Sequence, residues 1–159
     1  MFEFNYIGII NTPFIKLEDM PIQPKGSKSI GTITLFDEYI QGLECIKEFS
    51  HLILLYHLHQ VKEMKLKVKP FLDSKERGIF STRAPVRPNP IGLSIVRLID
   101  VKGNVLSVEN VDMLEGTPLL DIKPYVPKFD IFPEANNGWL LEDVELKNVK
   151  SDFRFLKTN

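Results

Sequence analysis

Eleven prolines and nine glycines punctuate this chain from end to end, and between them the apolar residues recur mostly at every second position. Proline removes a backbone donor and fixes φ, so the chain cannot sustain long helices or long uninterrupted strands. Period-two runs broken this often predict many short strands joined by turns. Phe4, Tyr6, Gly8 and Ile10 alternate with Asn5, Ile7 and Ile9, a strand ending at Asn11-Thr12-Pro13. Residues 14–30 carry Pro21, Pro24 and Gly26 and read as an irregular loop. Gly31–Leu35 is a β-branched strand, and Asp37 is placed to cap a short helix over 38–48, weakened by Gly42. His51 to His59 reads as a buried strand. Met64–Lys69 alternates strictly, predicting three apolar side chains inward and three lysines outward. Gly78–Thr82 is a further short strand. Leu93–Val101 and Val105–Asn110 form a hairpin through Lys102-Gly103-Asn104, and Pro118–Tyr125 is another strand. A weaker strand pattern lies near Leu141–Leu146.

The expected fold is therefore mainly β: a single-domain β-barrel over residues 1–159, with irregular loops and at most one or two short helices. The chain length, 159 residues, suits one hydrophobic core. A single cysteine, Cys45, cannot close an intrachain disulfide, which favours a reducing compartment. The first residues lack the pattern of a signal peptide, and the longest apolar stretch, Leu52–Tyr56, is too short to span a bilayer. A soluble, cytoplasmic protein is expected. The formal net charge of -1 conceals an asymmetry. Residues 62–97 hold nine basic groups against three acids, and residues 109–145 hold nine acids against two lysines. The two blocks either pair as opposite solvated faces or leave a basic surface for an anionic partner such as nucleic acid.

Familiar catalytic signatures are missing. No two glycines lie two residues apart, no Gly-Lys-Ser/Thr forms a phosphate loop, and no serine occupies a Gly-x-Ser-x-Gly elbow. His51, His57 and His59 would share one face of a strand, the last two about 6.5 Å apart along it. They would need a carboxylate to hold a metal, so no metal is expected.

Two stretches stand out. In Ser81–Ser94 three prolines within six residues (85, 88 and 90) display Arg83, Arg87 and Asn89 rigidly, as an anionic ligand or base edge requires. The alternative is a proline-braced loop with exposed arginines. In the second stretch, Asp112 to Tyr125, strand parity puts Asp121, Lys123 and Tyr125 on one side. An acid, an amine and a phenol there either handle substrate and protons or form a surface pair.

Phe80-Ser81-Thr82-Arg83-Ala84-Pro85-Val86-Arg87-Pro88-Asn89-Pro90-Ile91-Gly92-Leu93-Ser94 resembles the signature of the TsaA/TrmO-like family, and so does Glu115 through Pro127. Shorter matches follow in order: Tyr6–Ile10 with Thr12-Pro13, Pro21 with Gln23, Gly42-Leu43-Glu44, Phe49–Leu52 and His59-Gln60. The resemblance covers about residues 4–128, leaving a tail over 129–159. It implies a homodimeric β-barrel methyltransferase that uses S-adenosylmethionine on N6 of N6-threonylcarbamoyladenosine, the base 3′ of the anticodon in certain tRNAs. By the same resemblance, Pro21, Ile22, Gln23, His59, Gln60, Arg83 and Leu93 would hold the cofactor. Glu115, Gly116, Thr117, Pro118, Leu119 and Leu120 would complete its site. Asp121 would be the base, with Lys123 and Tyr125 orienting the threonyl carboxylate and carbonyl groups. Arg87 and Asn89 would meet RNA or substrate, and Lys65, Lys67 and Lys69 the phosphates. The chain departs from the family at Ile22, where a basic residue is frequent, and at Asn11, where arginine is common. It also departs in length, which is too short for the C-terminal domain of some members. The alternatives are a methyltransferase for a small molecule and a non-catalytic cofactor or nucleoside sensor.

Overall fold

The period-two segments pair into one closed sheet, seen in a computed structural model that describes residues 3–22 and 28–140. The strands are β1 (Gly8–Asn11), β2 (Ile30–Leu35), β3 (His51–His57), β4 (Lys67–Val68), β5 (Arg77–Gly78), β6 (Ile91–Lys102), β7 (Val105–Glu109) and β8 (Thr117–Pro124). Six of them form a closed barrel in the order β1-β2-β7-β6-β3-β8, and every pairing is antiparallel. β4 and β5 form a small separate ribbon. A short helix, α1 (Pro127–Asp130), follows the last barrel strand.

Alternation decides which side chains fill the barrel. Leu52, Leu54 and Tyr56 of β3 point inward against Ile10, Ile33, Val96, Leu106, Val108 and Leu119. Each buried aliphatic side chain contributes about 1.5–3 kcal/mol relative to exposure. Tyr56 fits because its cross-strand partner is Gly92, where any Cβ would overlap the phenol ring. Gly103, at φ 58°, makes the tight turn between β6 and β7. β8 carries a bulge: Leu55 faces Asp121 while the next residue, Tyr56, faces Leu119. The extra residue keeps Leu119 and Ile122 on the core side and Asp121 and Lys123 on the outside.

Several local expectations are corrected. Residues 38–48 form no α-helix: 3-10 turns occupy Asp37–Leu43 and Ile46–Glu48, separated by Cys45 in the left-handed region at φ 64°. Phe36, not Asp37, holds the first cap position. β1 begins only at Gly8. The strand expected over 78–82 is β5 followed by a 3-10 turn at Ile79–Ser81. That bend is enforced by Ser81 Oγ donating to the Gly78 carbonyl and Thr82 Oγ1 to the Ile79 carbonyl. In Met64–Lys69 the lysines do point outward, but only Lys67–Val68 pairs, and Met64 and Leu66 are exposed. β3 ends at His57, so His59 lies in a turn rather than on the face of His51 and His57. Among the described residues, no group of three His, Cys, Asp or Glu side chains is placed to hold a metal. Among them, too, no helix is long and apolar enough to cross a membrane. The strand expected near 141–146 lies outside the described residues.

Candidate cofactor pocket

The proline-rich loop leaves β5 and returns into β6 across one end of the barrel. Val86, Ala84, Ile79 and Val68 form a second small core beneath it. Arg87 braces the loop from within, its Nη1 donating to the carbonyls of Ile79 (3.1 Å) and Thr82 (2.8 Å). Its guanidinium also lies 5.9 Å from the ring centre of the exposed Phe80. Trp139 Nε1 donates to the Ser81 carbonyl at 2.7 Å, tying the segment after α1 onto the same loop.

Between this loop, the end of β3 and the β7–β8 connection opens a pocket of about 350 Å3. Pro21, Ile22, His59, Gln60, Arg83, Leu93 and Thr117 line it, as does Arg87. These come from four separated stretches of sequence, brought together by barrel closure. His59 is held below its ordinary value by burial, so its imidazole is neutral near pH 7. Gln23 lies outside the described residues. Glu115, Gly116, Pro118, Leu119 and Leu120 do not line the pocket. Leu119 is a core residue. The Glu115 carboxylate accepts from Asn11 Nδ2 (2.7 Å) and the Thr12 amide (2.5 Å), fastening the end of β1 to the turn before β8. Asn11, at the position where arginine is common in the family it resembles, thus has a structural hydrogen bond.

Asp121, Lys123 and Tyr125 sit elsewhere. Asp121 and Lys123 pair at 2.7 Å on the barrel's outer face, and Tyr125 meets His51 edge-on at 6.3 Å. In register, Leu93, Leu55 and Asp121 stand side by side across β6, β3 and β8. Asp121 is therefore two strand spacings, about 10 Å, from the pocket rim at Leu93. Asn89 is exposed in the loop and not in the pocket wall. Lys65, Lys67 and Lys69 are exposed around β4.

The sequence reading missed the pocket floor, formed by Tyr56, Asp112, Met113 and Leu114. Its signal was available: an acid set in the apolar run Val111-Asp112-Met113-Leu114. Ser94 Oγ donates to Asp112 Oδ1 at 2.5 Å and lies 2.9 Å from the Tyr56 hydroxyl, which donates to it in turn. Burial pushes the Asp112 carboxyl up to about 7, against the lowering effects of Ser94 and Arg83. Burial likewise keeps the Tyr56 phenol protonated far beyond its ordinary range.

Residues 9–131, which contain all of the barrel but its first residue and all of the pocket, match the family of the tRNA-methyltransferase O N-terminal domain. The chain belongs to this TrmO family. It is 50% identical over 155 residues to a probable S-adenosyl-L-methionine-binding protein of Pyrococcus abyssi, covering 96% of this chain and 84% of that one. It is 36% identical over 152 residues to the tRNA (adenine(37)-N6)-methyltransferase of Escherichia coli, with 87% of this chain and 63% of the relative covered. The crystal structure of TrmO from Pseudomonas aeruginosa superimposes with a TM-score of 0.74 at 35% identity, covering 87% of this chain and 62% of that one. The chain thus spans a little over three-fifths of those last two proteins.

Proposed function

We propose that this chain is an S-adenosylmethionine-dependent methyltransferase acting on N6 of the adenosine 3′ of the anticodon in tRNA, with N6-threonylcarbamoyladenosine as the favoured form. The observation that carries the reading is the pocket, lined chiefly by the first signature stretch, with Thr117 from the second, inside the matched region of the family. Its residues suit such a cofactor. Leu17, Met20, Leu58 and Leu93 offer apolar walls for an adenine, Arg83 a guanidinium for a carboxylate, and Asp112 an acid for a cation. The bound cofactor would supply an electrophilic methyl group. The chain's part is to orient donor and acceptor in line and to accept the proton released from N6.

Asp121 remains the proposed proton acceptor, with Lys123 and Tyr125 orienting the acceptor's polar groups, through a homodimer. The outer face of β3, β6 and β8 carries Ile53, Leu55, Leu93, Ile95 and Ile99, with Ile91, Leu93 and Ile99 notably exposed for aliphatic side chains. This face runs into the pocket rim at Leu93. A second copy seated on it brings Asp121 of one protomer toward the pocket of its partner. A second reading, a cofactor-binding sensor without turnover, is favoured by the position of Asp121 and Lys123 outside the pocket within one chain.

Incubation with labelled S-adenosylmethionine and tRNA, with and without the threonylcarbamoyl modification, separates the two. Methylation confined to modified tRNA, abolished in Asp121→Ala while cofactor binding persists, supports the enzyme and the role of Asp121. Cofactor binding with no labelled tRNA supports the sensor. An unchanged rate in Asp121→Ala rejects that residue as the base.

A further inference from the structure

Asp112 is the one carboxylate among the described side chains lining the pocket. It is 8% exposed and lies on the connection between β7 and β8, while its partners Ser94 and Tyr56 come from β6 and β3. A carboxylate buried this far carries a large desolvation cost unless it is well paired. Ser94 and the residue's own amide give it hydrogen bonds but no compensating charge. Of the two guanidiniums in the pocket wall, Arg87 directs Nη1 to backbone carbonyls, and Arg83 is exposed, where solvent weakens its hold on Asp112. The pocket therefore holds an acid whose pairing a cationic ligand would complete.

The chemistry of the acid narrows which cation it suits. An ammonium group carries three donors and needs several acceptors. Here Oδ1 already accepts from Ser94, and the rest of the pocket lining is mostly apolar, Leu58, Leu93, Met113 and Leu114 among it, with Gln60, Thr82 and Thr117 as neutral polar groups. A sulfonium has no donors at all and asks only for a nearby negative charge in an apolar setting, where charge attraction is strong. Resting on the cofactor reading above, the geometry points to Asp112 as the specificity-determining residue that distinguishes the sulfonium of S-adenosylmethionine from the neutral thioether of S-adenosylhomocysteine, with Ser94 and Tyr56 holding its carboxylate in place. When the methyl group leaves, the sulfur keeps the bonding electron pair and becomes neutral, the acceptor nitrogen gains the methyl, and its proton departs. The attraction to Asp112 disappears with the charge, which favours product release.

The charged and titratable groups around Asp112 are the Tyr56 phenol of β3, which stays protonated, and Arg83 of the proline-rich loop. Arg87 and His59 line the same pocket, and burial moves His59 to titrate below its ordinary value. The test is calorimetric binding of S-adenosylmethionine and S-adenosylhomocysteine to the full chain between pH 5.5 and 8.5. At pH 8.5 the unsubstituted protein prefers the donor by about tenfold, and the preference shrinks as Asp112 takes up a proton. Asp112→Asn weakens donor binding about tenfold at pH 8.5, leaves product binding within about twofold, and flattens the pH dependence of their ratio. Ser94→Ala, which keeps the acid but frees its orientation, gives an intermediate ratio, and melting curves verify that each variant folds.

Equal weakening of both ligands by Asp112→Asn overturns the proposal in favour of ammonium binding or a packing role. An unchanged ratio overturns it outright. If Asp112→Asn fails to fold, a pH-independent ratio in the unsubstituted protein, or an unaltered ratio in Ser94→Ala, overturns it as well. Binding of neither ligand by the unsubstituted protein overturns the cofactor reading and this inference together, whereas an unaltered ratio leaves the cofactor reading standing.

Discussion

Asp112 makes the stability of the empty protein depend on pH in a direction opposite to that of most surface carboxylates. Its folded value, about 7, lies above the ordinary 3.8, so the folded state binds its proton more tightly than the unfolded chain does. Stability from this group is greatest at low pH and is lost as pH rises from about 4 through 7, by a few kcal/mol at most. Asp73 and Asp100 run the other way. Asp73 is held low by the Lys75 amide and then by Arg77, and Asp100 by the Val101 amide and then by Lys47 and Lys102. Their contribution is present above the ordinary carboxylate value and fades as pH falls below it, a separate window. Thermal melts of the ligand-free protein are expected to drop between pH 5 and pH 8, and Asp112→Asn to melt higher at pH 8 with a flatter profile. A profile as steep in the variant as in the parent would show that the acid's burial is not what sets it.

The β4–β5 ribbon and its flanks present a cluster of exposed lysines. Lys65, Lys67 and Lys69 stand out from a segment whose backbone is fixed to the proline-rich loop by the Lys65 amide on the Val86 carbonyl and the Ile79 amide on the Leu66 carbonyl. Replacing all three with glutamate is expected to weaken tRNA binding at least tenfold and to lower the slope of log affinity against log salt by about two to three, since each phosphate contact contributes about 0.7–0.9. An unaltered slope would place the phosphates elsewhere. This ribbon also shows where sequence reading stopped. Alternation in Met64–Lys69 placed the lysines outward, but it could not show that Met64 and Leu66 have no sheet to face. Where strands pair in the barrel, as at Gly31–Leu35 and Val105–Glu109, alternation and structure agree, because one face always meets the core. Where the chain bends, as at Ile79–Ser81, hydroxyls bonded to nearby carbonyls decide, and periodicity carries no trace of them. The site divides the same way. Arg83, His59 and Leu93 were legible from the motifs, while the Tyr56–Ser94–Asp112 chain needed the register of β3 against β6 to bring its members together.

At the scale of the whole molecule, the outer face of β3, β6 and β8 carries the proposal of a dimer. Ile53→Asp combined with Ile95→Asp is expected to give a monomer by sedimentation and to abolish tRNA methylation while S-adenosylmethionine binding changes less than about threefold. Such charges are not tolerated inside an apolar interface but are readily solvated on a free surface. A variant that stays dimeric, or a parent that is already monomeric, would remove this face from the mechanism. The barrel's closure by β1 against β8, with Gly8 opposite Leu119, has one more consequence. During synthesis the first strand emerges more than a hundred residues before the partner that seals its second edge. Until then β1 and β3, the two strands that β8 joins, each present a raw hydrogen-bonding edge to whatever else is in the cell. The ring closes late, after the intervening strands have been made, so the nascent chain carries two unpaired edges, each open to pairing with another chain, until its eighth strand arrives.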